Sequence, residues 1–212
     1  SNSSYLISAL TASQDIESYS LRDYEKPFRN MSVGMLPPKL SQILINLAVG
    51  HHDKEITIFD PFCGTGGVLL EAMLMGYHVE GSDLHPKMVE KATANIEWLK
   101  NTYKLNPHLK TTLFEHDATH PFPNKKKEAI IATEGYLGPP LHGYPAPEIA
   151  QKNLTEITEL YSAFFKNLAS SYERVTIALC IPCYISGGKT QEPLGLIDAI
   201  RKMGFTQATT PY

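Results

Sequence analysis

Two kinds of apolar pattern alternate along this chain and predict its secondary structure. Short runs rich in β-branched residues are typical of buried strands, and longer segments with apolar residues at helical spacing are typical of packed helices. The predicted strands are Ile56–Phe59, Tyr77–Ser82, Thr111–Glu115, Glu128–Thr133 and Arg174–Ile181. The predicted helices are Pro38 to near Gly50, Val68–Met73, Pro86–Tyr103, Ile149–Ser170 and Leu194–Met203. This alternation predicts an α/β fold, a three-layer sandwich around a mostly parallel sheet.

The same pattern makes three predictions about packing. The helix after Pro38 should pack on the sheet through one apolar face, made of Leu40, Ile43, Leu44, Leu47 and Ala48. The strand Arg174–Ile181 is the most apolar of the five and should be central in the sheet. Phe205–Thr209 should begin a further strand, so we expect the last strand of the sheet to be incomplete.

The start of the chain is polar and mixed, and we interpret residues 1–33 as a lead-in segment before a domain that spans residues 34–212. Tyr5–Ile7 is its strand-like piece, and Asp15–Ser20 is a short helix or an extended lead-in. Leu21–Arg29 has the composition of a charged loop. Together with the incomplete last strand, this start predicts that the domain is part of a longer protein.

Length and composition place the chain among globular proteins. It has 212 residues, of which 42% are hydrophobic and 19% are charged, enough for a core of ordinary size. No apolar run approaches the roughly 18 residues that a membrane span needs, so we expect no membrane partner. The three cysteines form no dense framework and fit a reducing, cytoplasmic location.

The net charge of −3 bears on the partners of the chain. A domain that alone grips a nucleic-acid backbone is usually basic, since phosphate contacts supply most of the non-specific affinity. The substrate is therefore small, or another domain or subunit helps to hold it. The run Lys125–Lys127 is either a local basic patch or, as we prefer, a solvated loop before a strand.

Metal chemistry is not indicated. The eight histidines show no helical ligand pair, and Cys180 and Cys183 form a lone C-x-x-C without a second pair. Structural zinc sites need four ligands at recognisable spacing. We therefore expect no metal and interpret these cysteines as two buried or half-buried thiols, with a redox role as the alternative.

The stretch Ile56–Ala72 is the most informative part of the chain. An apolar strand ends at Asp60, a glycine turn follows at residues 64–67, and the sequence then becomes helical. Glycines in such a turn let a ligand lie against the backbone, and the helix N-terminus offers unpaired N–H groups. The dinucleotide fingerprint needs a third glycine where Leu69 stands, and a P-loop needs a lysine that this turn lacks. The turn therefore predicts a ligand of another class.

The motif D-P-F-C-G-T-G-G at Asp60–Gly67 resembles motif I of class I S-adenosylmethionine-dependent methyltransferases, in the form found in enzymes that modify the exocyclic nitrogen of a base. Upstream, R-D-x-x-x-P at Arg22–Pro27 and G-M-L-P-P-K-L at Gly34–Leu40 make the chain similar to the UPF0020/Trm11-like RNA methylase family. The best-known members of that family make N2-methylguanosine in transfer RNA. The resemblance implies a Rossmann-like class I methyltransferase fold and S-adenosyl-L-methionine as the cofactor.

The resemblance also implies which residues bind the cofactor. Asp60 and the glycine turn should face its methionine part, and Asp83, at the end of the second strand, should accept hydrogen bonds from the ribose. Asp83 is alternatively the N-cap of the next helix. Asp117 should lie next to the adenine, and Lys39 either closes one side of the pocket or only belongs to a packing helix. The full set is Lys39, Asp60, Phe62, Gly64, Thr65, Gly66, Asp83, Leu84, Asp117 and Ala118.

The loop after the fourth strand should carry the reaction, because ligands of such sheets lie beyond the carboxyl ends of the strands. Amino-methyltransferases have Asp/Asn-Pro-Pro-Tyr/Phe in this loop, which holds the target amine and stacks on the flipped base. This chain departs from that pattern, with Glu134-Gly135-Tyr136 and a Pro-Pro pair only at residues 139–140. We expect Glu134 to accept hydrogen bonds from the amine and Tyr136 to stack on the base. The alternative is that both are incidental loop residues.

These features predict N-methylation of a nucleobase amine, with guanine N2 of tRNA as the first choice and DNA as the second. Two competing hypotheses assign the fold a different task. The first is an N-methyltransferase for a protein or small molecule, and the second is a catalytically silent module of the same fold that only binds a partner. The unusual loop and the acidic charge favour the silent module. Such a module would bind S-adenosylmethionine without turning it over.

Overall fold

Five parallel strands form one sheet in the computed structural model, which describes residues 8–29, 35–50, 52, 55–122 and 126–208. The strands are β1 (Thr57–Asp60), β2 (His78–Asp83), β3 (Thr111–Glu115), β4 (Lys126–Thr133) and β5 (Tyr172–Leu179). Their spatial order is β3-β2-β1-β4-β5, and each neighbouring pair is parallel. The carboxyl ends of the strands therefore share one edge, and the order reverses its direction between β1 and β4.

Six helices and a short hairpin complete the described part of the chain. The helices are α1 (Ile16–Tyr24), α2 (Pro38–Val49), α3 (Gly67–Leu74), α4 (Pro86–Tyr103), α5 (Pro147–Ser171) and α6 (Leu196–Lys202). The antiparallel hairpin consists of β6 (Tyr184–Ser186) and β7 (Lys189–Gln191) and was not predicted. α4 and β3 have the predicted bounds, and the ends of the other four strands of the sheet and of α2, α3, α5 and α6 differ from the prediction by at most two residues.

Alternating side chains of the strands supply two separate cores, one on each face of the sheet. On one face, Ile58 and Ile130 belong to a core covered by α2, α3 and α4. On the other, Phe59 and Ile131 belong to a core covered by α5 and α6. Successive residues of a strand point to opposite faces, so this division confirms the predicted three-layer sandwich.

The predicted packing face of α2 was wrong for part of its residues. Leu40, Ile43 and Leu47 are 46%, 51% and 51% exposed. α2 contacts α3, β4 and β5 through a neighbouring face, whose buried residues are Pro38, Ser41, Leu44, Ile45, Ala48 and Val49. Apolar residues extend around most of this helix, so the spacing allowed two overlapping faces, and the contact with α3 decides between them.

Two predictions about the end of the sheet were also wrong. β5 is an edge strand among the described strands rather than a central one, and it pairs there with β4 alone. Its apolar composition reflects the helices that pack on the two faces of the sheet. Composition therefore does not distinguish an edge strand from a central one. Phe205–Ala208 lie in no strand, and Phe205 packs edge-on against Phe165 of α5 at 5.0 Å between ring centroids. Thr209 lies outside the described residues.

The segment before α2 is helical where we predicted a choice or a loop. The carboxylate of Asp15 accepts a hydrogen bond from the backbone N–H of Ser18 at 3.0 Å and caps α1. The helix then continues through Leu21–Tyr24, part of the predicted charged loop. Tyr5–Ile7 lies outside the described residues.

A buried ion pair ties α1 to the domain. The Nε of Arg22 lies 2.6 Å from the carboxylate of Glu71 on α3, and both side chains are almost fully buried. Gln42 of α2 donates to the same carboxylate at 2.7 Å. The described part of the predicted lead-in segment therefore packs directly on the domain.

Candidate active site

Three acidic side chains converge at the carboxyl edge of the sheet. Asp60 ends β1 and Asp83 ends β2, while Glu134 directly follows β4. β1 lies between β2 and β4, so these carboxylates surround the point where the strand order reverses. Ligands of open α/β sheets bind at this point.

The glycine turn between β1 and α3 has the backbone that the motif predicts. The backbone N–H of Cys63 donates to the carbonyl of Ser82 in β2 at 2.9 Å. Gly64 and Gly66 have φ angles of +51° and +86°, a left-handed conformation that side chains disfavour. A Cβ on Gly66 would also lie 3.3 Å from the Cβ of Ala92 in α4. The turn therefore brings the first turn of α3 close to the end of β2.

Asp83 holds this turn in place. Its carboxylate accepts one hydrogen bond from the backbone N–H of Gly64 and another from that of His85, each at 2.9 Å. His85, not Asp83, is the N-cap residue of α4, so the interpretation of Asp83 as a helix cap is not correct. A carboxylate offers about four lone-pair positions, which leaves two for hydroxyl donors such as those of a ribose. The neighbouring Leu84 is 56% exposed.

Asp60 is deeply buried, with 2% of its surface exposed. Its carboxylate accepts hydrogen bonds from the backbone N–H of Phe62, at 3.0 Å, and from the hydroxyl of Thr133. Burial raises the pKa of Asp60 to about 7, and repulsion from Asp83 and Glu134 adds to the effect. At neutral pH its carboxyl group is therefore divided between the charged and the neutral form, and a nearby cation would favour the charged one.

Asp117 follows β3 and is held by local contacts. Its carboxylate accepts hydrogen bonds from the backbone N–H and the hydroxyl of Thr119, at 2.9 and 2.7 Å, and lies 3.0 Å from Nδ1 of His120. Partial burial opposes ionisation, but these contacts outweigh it and lower the pKa of Asp117. The next residue, Ala118, is buried, and its carbonyl accepts a hydrogen bond from Asn167. The place of Asp117 at the end of β3, beside Asp83, fits the predicted adenine contact without testing it.

Lys39 is placed away from any acidic partner among the described residues. Its ammonium donates to the side-chain carbonyl of Gln14 at 2.5 Å, at the exposed start of α2. Its predicted contact with the cofactor stays a prediction.

The loop after β4 presents Glu134 and Tyr136 at the same edge. Glu134 is half-buried, and burial raises the pKa of its carboxyl group. Tyr136 is 37% exposed, so its ring remains accessible. The carbonyl of Tyr136 accepts a hydrogen bond from the hydroxyl of Tyr161 at 2.9 Å. The predicted acceptor and the predicted stacking residue thus lie together, next to the acidic edge.

Two residues that the sequence did not single out link these parts. The hydroxyl of Thr133 accepts a hydrogen bond from the backbone N–H of Gly135 at 3.0 Å and donates to Asp60, so it joins the glycine turn to the loop after β4. The side-chain amide of Asn95 donates at 2.9 Å to the carbonyls of Thr65 and Phe28. A polar residue on the buried face of α4 was the signal that could have identified Asn95.

Other kinds of site find no support in the described part of the chain. No group of three or more His, Cys, Asp or Glu side chains there could hold a metal ion. Cys180 and Cys183 are both free; Cys180 is half-buried as predicted, whereas Cys183 is exposed, so the prediction was wrong for that thiol. None of the described helices is long and apolar enough to cross a bilayer.

Comparison with protein families matches residues 27–120 to the family described as UPF0020, RMKL-like methyltransferase domain. The matched range includes the glycine turn, Asp83 and Asp117. It ends before β4 and thus does not include Glu134.

Curated relatives match a larger part of the chain. A tRNA (guanine(10)-N2)-dimethyltransferase from Methanothermobacter thermautotrophicus is 32% identical over 168 residues, which are 77% of this chain and 43% of the relative. A protein of the same name from Pyrococcus abyssi is 36% identical over 101 residues, 48% of this chain and 28% of the relative. The chain thus spans less than half the length of these relatives.

Solved structures support the fold at lower sequence identity. Magnesium protoporphyrin IX methyltransferase from Synechocystis PCC 6803, crystallised with bound SAH, superposes with a TM-score of 0.57 at 17% identity, over 91% of this chain and 85% of that one. A second structure of that enzyme, with bound SAM, gives a TM-score of 0.54 at 18% identity, over 95% of this chain and 91% of that one. The sequence and structure comparisons together confirm the predicted resemblance: the chain has the class I methyltransferase fold and resembles the UPF0020 RMKL-like methyltransferases, whose domain its residues 27–120 match.

Proposed function

We propose that this chain is an S-adenosylmethionine-dependent N-methyltransferase that acts on the exocyclic amine of a nucleobase, with guanine N2 of tRNA as the preferred target. The observation that carries the proposal is the placement of Glu134 beside Asp60 and Asp83, at the switch point of a methyltransferase sheet. The names of the curated relatives supply the substrate class.

The residues at this edge fit S-adenosylmethionine. Its sulfonium and ammonium groups outnumber its single carboxylate, so it carries a net positive charge, and the three acidic side chains favour a cation. Asp83 retains acceptor capacity for the ribose hydroxyls, and Asp117 is available for the adenine. Asp60, Phe62 and the glycine turn would hold the methionine part. When bound, the cofactor supplies an electrophilic methyl group.

Glu134 would orient the target amine. Its carboxylate accepts N–H groups of the base, so that the nitrogen lone pair points at the methyl carbon. The carboxylate of Glu134 would accept the proton that the amine nitrogen loses when its new C–N bond replaces the S–C bond of the cofactor. Because burial raises the pKa of Glu134, its carboxylate is a better proton acceptor than an exposed one. Tyr136 would stack on the base, which every nucleobase permits.

Binding of the nucleic acid requires more than this edge. The net charge of −3 gives little attraction for phosphates, and the chain spans 43% of its relative from Methanothermobacter. We propose that another domain or subunit binds the tRNA backbone and that the enzyme acts in the cytoplasm. Within the chain, we propose residues 1–33 as a lead-in segment and residues 34–212 as the catalytic domain.

The test is the transfer of radiolabelled methyl groups from S-adenosylmethionine to unmodified tRNA, followed by digestion to nucleosides. We expect label in N2-methylguanosine. Glu134→Ala should lower the rate by about 100-fold or more, the range expected for loss of a positioned acid or base. The affinity for the cofactor should fall far less than the rate, because Asp60 and Asp83 still attract the cation while Glu134 is proposed to contact the amine.

Glu159→Ala is the matched control, since Glu159 is an exposed residue of α5. It should leave the rate unchanged. Tight binding of S-adenosylmethionine without transfer to tRNA, rRNA or DNA would sink the proposal and favour the silent module. Label that survives Glu134→Ala at the full rate would remove Glu134 from the mechanism.

A further inference from the structure

We propose that the hydroxyls of Tyr161 and Tyr184 are positioning groups that lock the loop after β4 into the one shape that presents Glu134 to the substrate. This inference rests on the proposed function for its kinetic consequence, while its structural part can be tested without it. It concerns two residues outside the predicted site, on two different elements.

The two hydroxyls bind consecutive carbonyls of the loop. Tyr161, on α5, donates to the carbonyl of Tyr136 at 2.9 Å. Tyr184, on β6, donates to the carbonyl of Leu137 at 2.8 Å. Each hydrogen bond fixes the orientation of one peptide plane, so two adjacent planes of the loop are fixed from two sides.

Two glycines of the loop leave the space that the same hydroxyls occupy. Gly135 and Gly138 have φ angles of +75° and +93°. A Cβ on Gly135 would collide with the hydroxyl of Tyr161 and lie 2.6 Å from Leu179, and one on Gly138 would collide with the hydroxyl of Tyr184. The tyrosines thus occupy the space that a side chain at either position would need, which indicates a loop and a support built for each other.

Tyr161 also touches the opposite wall of the site. Its ring packs edge-on against Phe62 of the glycine turn at 6.2 Å between centroids, and its side chain is fully buried. Burial raises the pKa of Tyr161, so the hydroxyl stays protonated and remains a donor. One side chain therefore sets the distance between the turn that would hold the cofactor and the loop that would hold the base.

The hairpin extends this support along the loop. Ser186, two residues after Tyr184 on the same face of β6, donates to the carbonyl of Pro145 at 2.7 Å. Leu137 and Pro145 are therefore both held by β6, which closes the segment between them into a loop with adjacent ends. Such closed loops are frequently functional. The hairpin is accordingly part of the acceptor side of the site.

Tyr161→Phe and Tyr184→Phe remove one hydroxyl each and keep the rings. We expect faster amide hydrogen exchange over residues 134–141 in both variants. We also expect kcat for tRNA methylation to fall by about tenfold to 100-fold, as for a misplacement of about 1 Å at the reacting groups. The KM for tRNA and the dissociation constant of S-adenosylmethionine should change little, because the rings and the glycine turn are retained.

Tyr172→Phe is the matched control, because Tyr172 is a buried tyrosine at the first position of β5, at the edge of the sheet opposite to the candidate site. This variant also loses one tyrosine hydroxyl. A similar fall of kcat in all three variants would therefore show a general effect on stability and overturn the inference. Unchanged exchange over residues 134–141 would also overturn it. Absence of methyl transfer by the unmodified chain would instead refute the proposed function, and the exchange data would still decide the inference.

Discussion

Asp60→Asn should make the protein more stable at neutral and alkaline pH and should lower its affinity for the proposed cofactor. Asp60 is 2% exposed, and burial raises its pKa from 3.8 to about 7. Asparagine has nearly the same shape and can still accept the hydrogen bond from the N–H of Phe62. The substitution thus removes the charge and leaves the packing.

The size and the sign of the effect follow from this pKa. Between pH 3.8 and about 7 the folded protein keeps a proton on Asp60 that the unfolded chain has lost, so this group makes the free energy of unfolding fall as pH rises through that window. Each pH unit of the displacement corresponds to about 1.4 kcal/mol. The full displacement therefore corresponds to about 4 kcal/mol, present as a penalty above pH 7 and absent below pH 4.

The assay is urea denaturation of both proteins at several values between pH 5 and pH 8. We expect Asp60→Asn to be more stable by up to about 4 kcal/mol at pH 8, and the difference to shrink toward pH 5. Asp198→Asn is the control, because Asp198 is 73% exposed, and its effect should not follow this pH profile. A variant that is no more stable than the parent at pH 8 would refute the reasoning, since Asp60 would then be ionised without penalty.

Cofactor binding gives the second half of the prediction. Binding of a cation should be weaker in Asp60→Asn than in the parent at pH 8, by about tenfold for each 1.4 kcal/mol of lost attraction. Near pH 5.5 the parent is itself mostly protonated at Asp60, so the two proteins should bind similarly. Isothermal titration calorimetry at the two pH values measures this. A loss of affinity that does not depend on pH would indicate a damaged turn instead of a lost charge.

Two further predictions concern stability. Glu71→Ala leaves the guanidinium of Arg22 buried without its carboxylate partner and should lower the free energy of unfolding, measured by urea denaturation, by about 3–5 kcal/mol. Its control is Glu97→Ala, which removes an exposed ion pair with Lys100 and should cost less than about 1 kcal/mol. Equal losses of stability in the two variants would contradict the argument from burial. Gly81→Ala should cost about 1–3 kcal/mol, because its Cβ would lie 2.5 Å from Leu69 and 2.8 Å from Leu113. Gly67→Ala, whose Cβ would meet nothing within 4 Å, is its control, and a tolerated Gly81→Ala would mean that both leucines can move aside.

Local signals predicted the elements of this fold well, because strand runs and helical spacing report whether a residue is buried. α4, with Pro86 in its first turn, agreed at both ends with its prediction. The predictions that failed concern which elements lie next to each other. The spacing in α2 could not choose between two apolar faces, and the apolar run of β5 could not tell an edge strand from a central one. Both depend on which elements lie adjacent, and a single segment does not carry that.

The candidate site divides in the same way. Asp60, Asp83 and Glu134 were predicted from motif positions at strand ends, and the parallel sheet brings all three to one edge. Their roles toward a ligand remain predictions. The supporting contacts were missed, since Thr133, Asn95 and the two tyrosines reach partners 25 to 73 positions away in the sequence. No local pattern marks a hydroxyl whose partner lies on another element.

The charge at this edge constrains how a nucleic acid can reach it. Three carboxylates attract a cation and repel phosphate at the same distance, so the site that favours S-adenosylmethionine disfavours the backbone of its proposed substrate. On the proposed function, we expect a target base to enter as a neutral ring with its phosphates held back from the edge, which favours an extruded base stacked on Tyr136. Methyl transfer converts the sulfonium into a neutral thioether, and the carboxylates lose part of their attraction for the spent cofactor. We therefore expect the acidic edge to promote both entry of the charged cofactor and departure of its neutral product, and on the proposed function the affinity for RNA would come from a surface away from it.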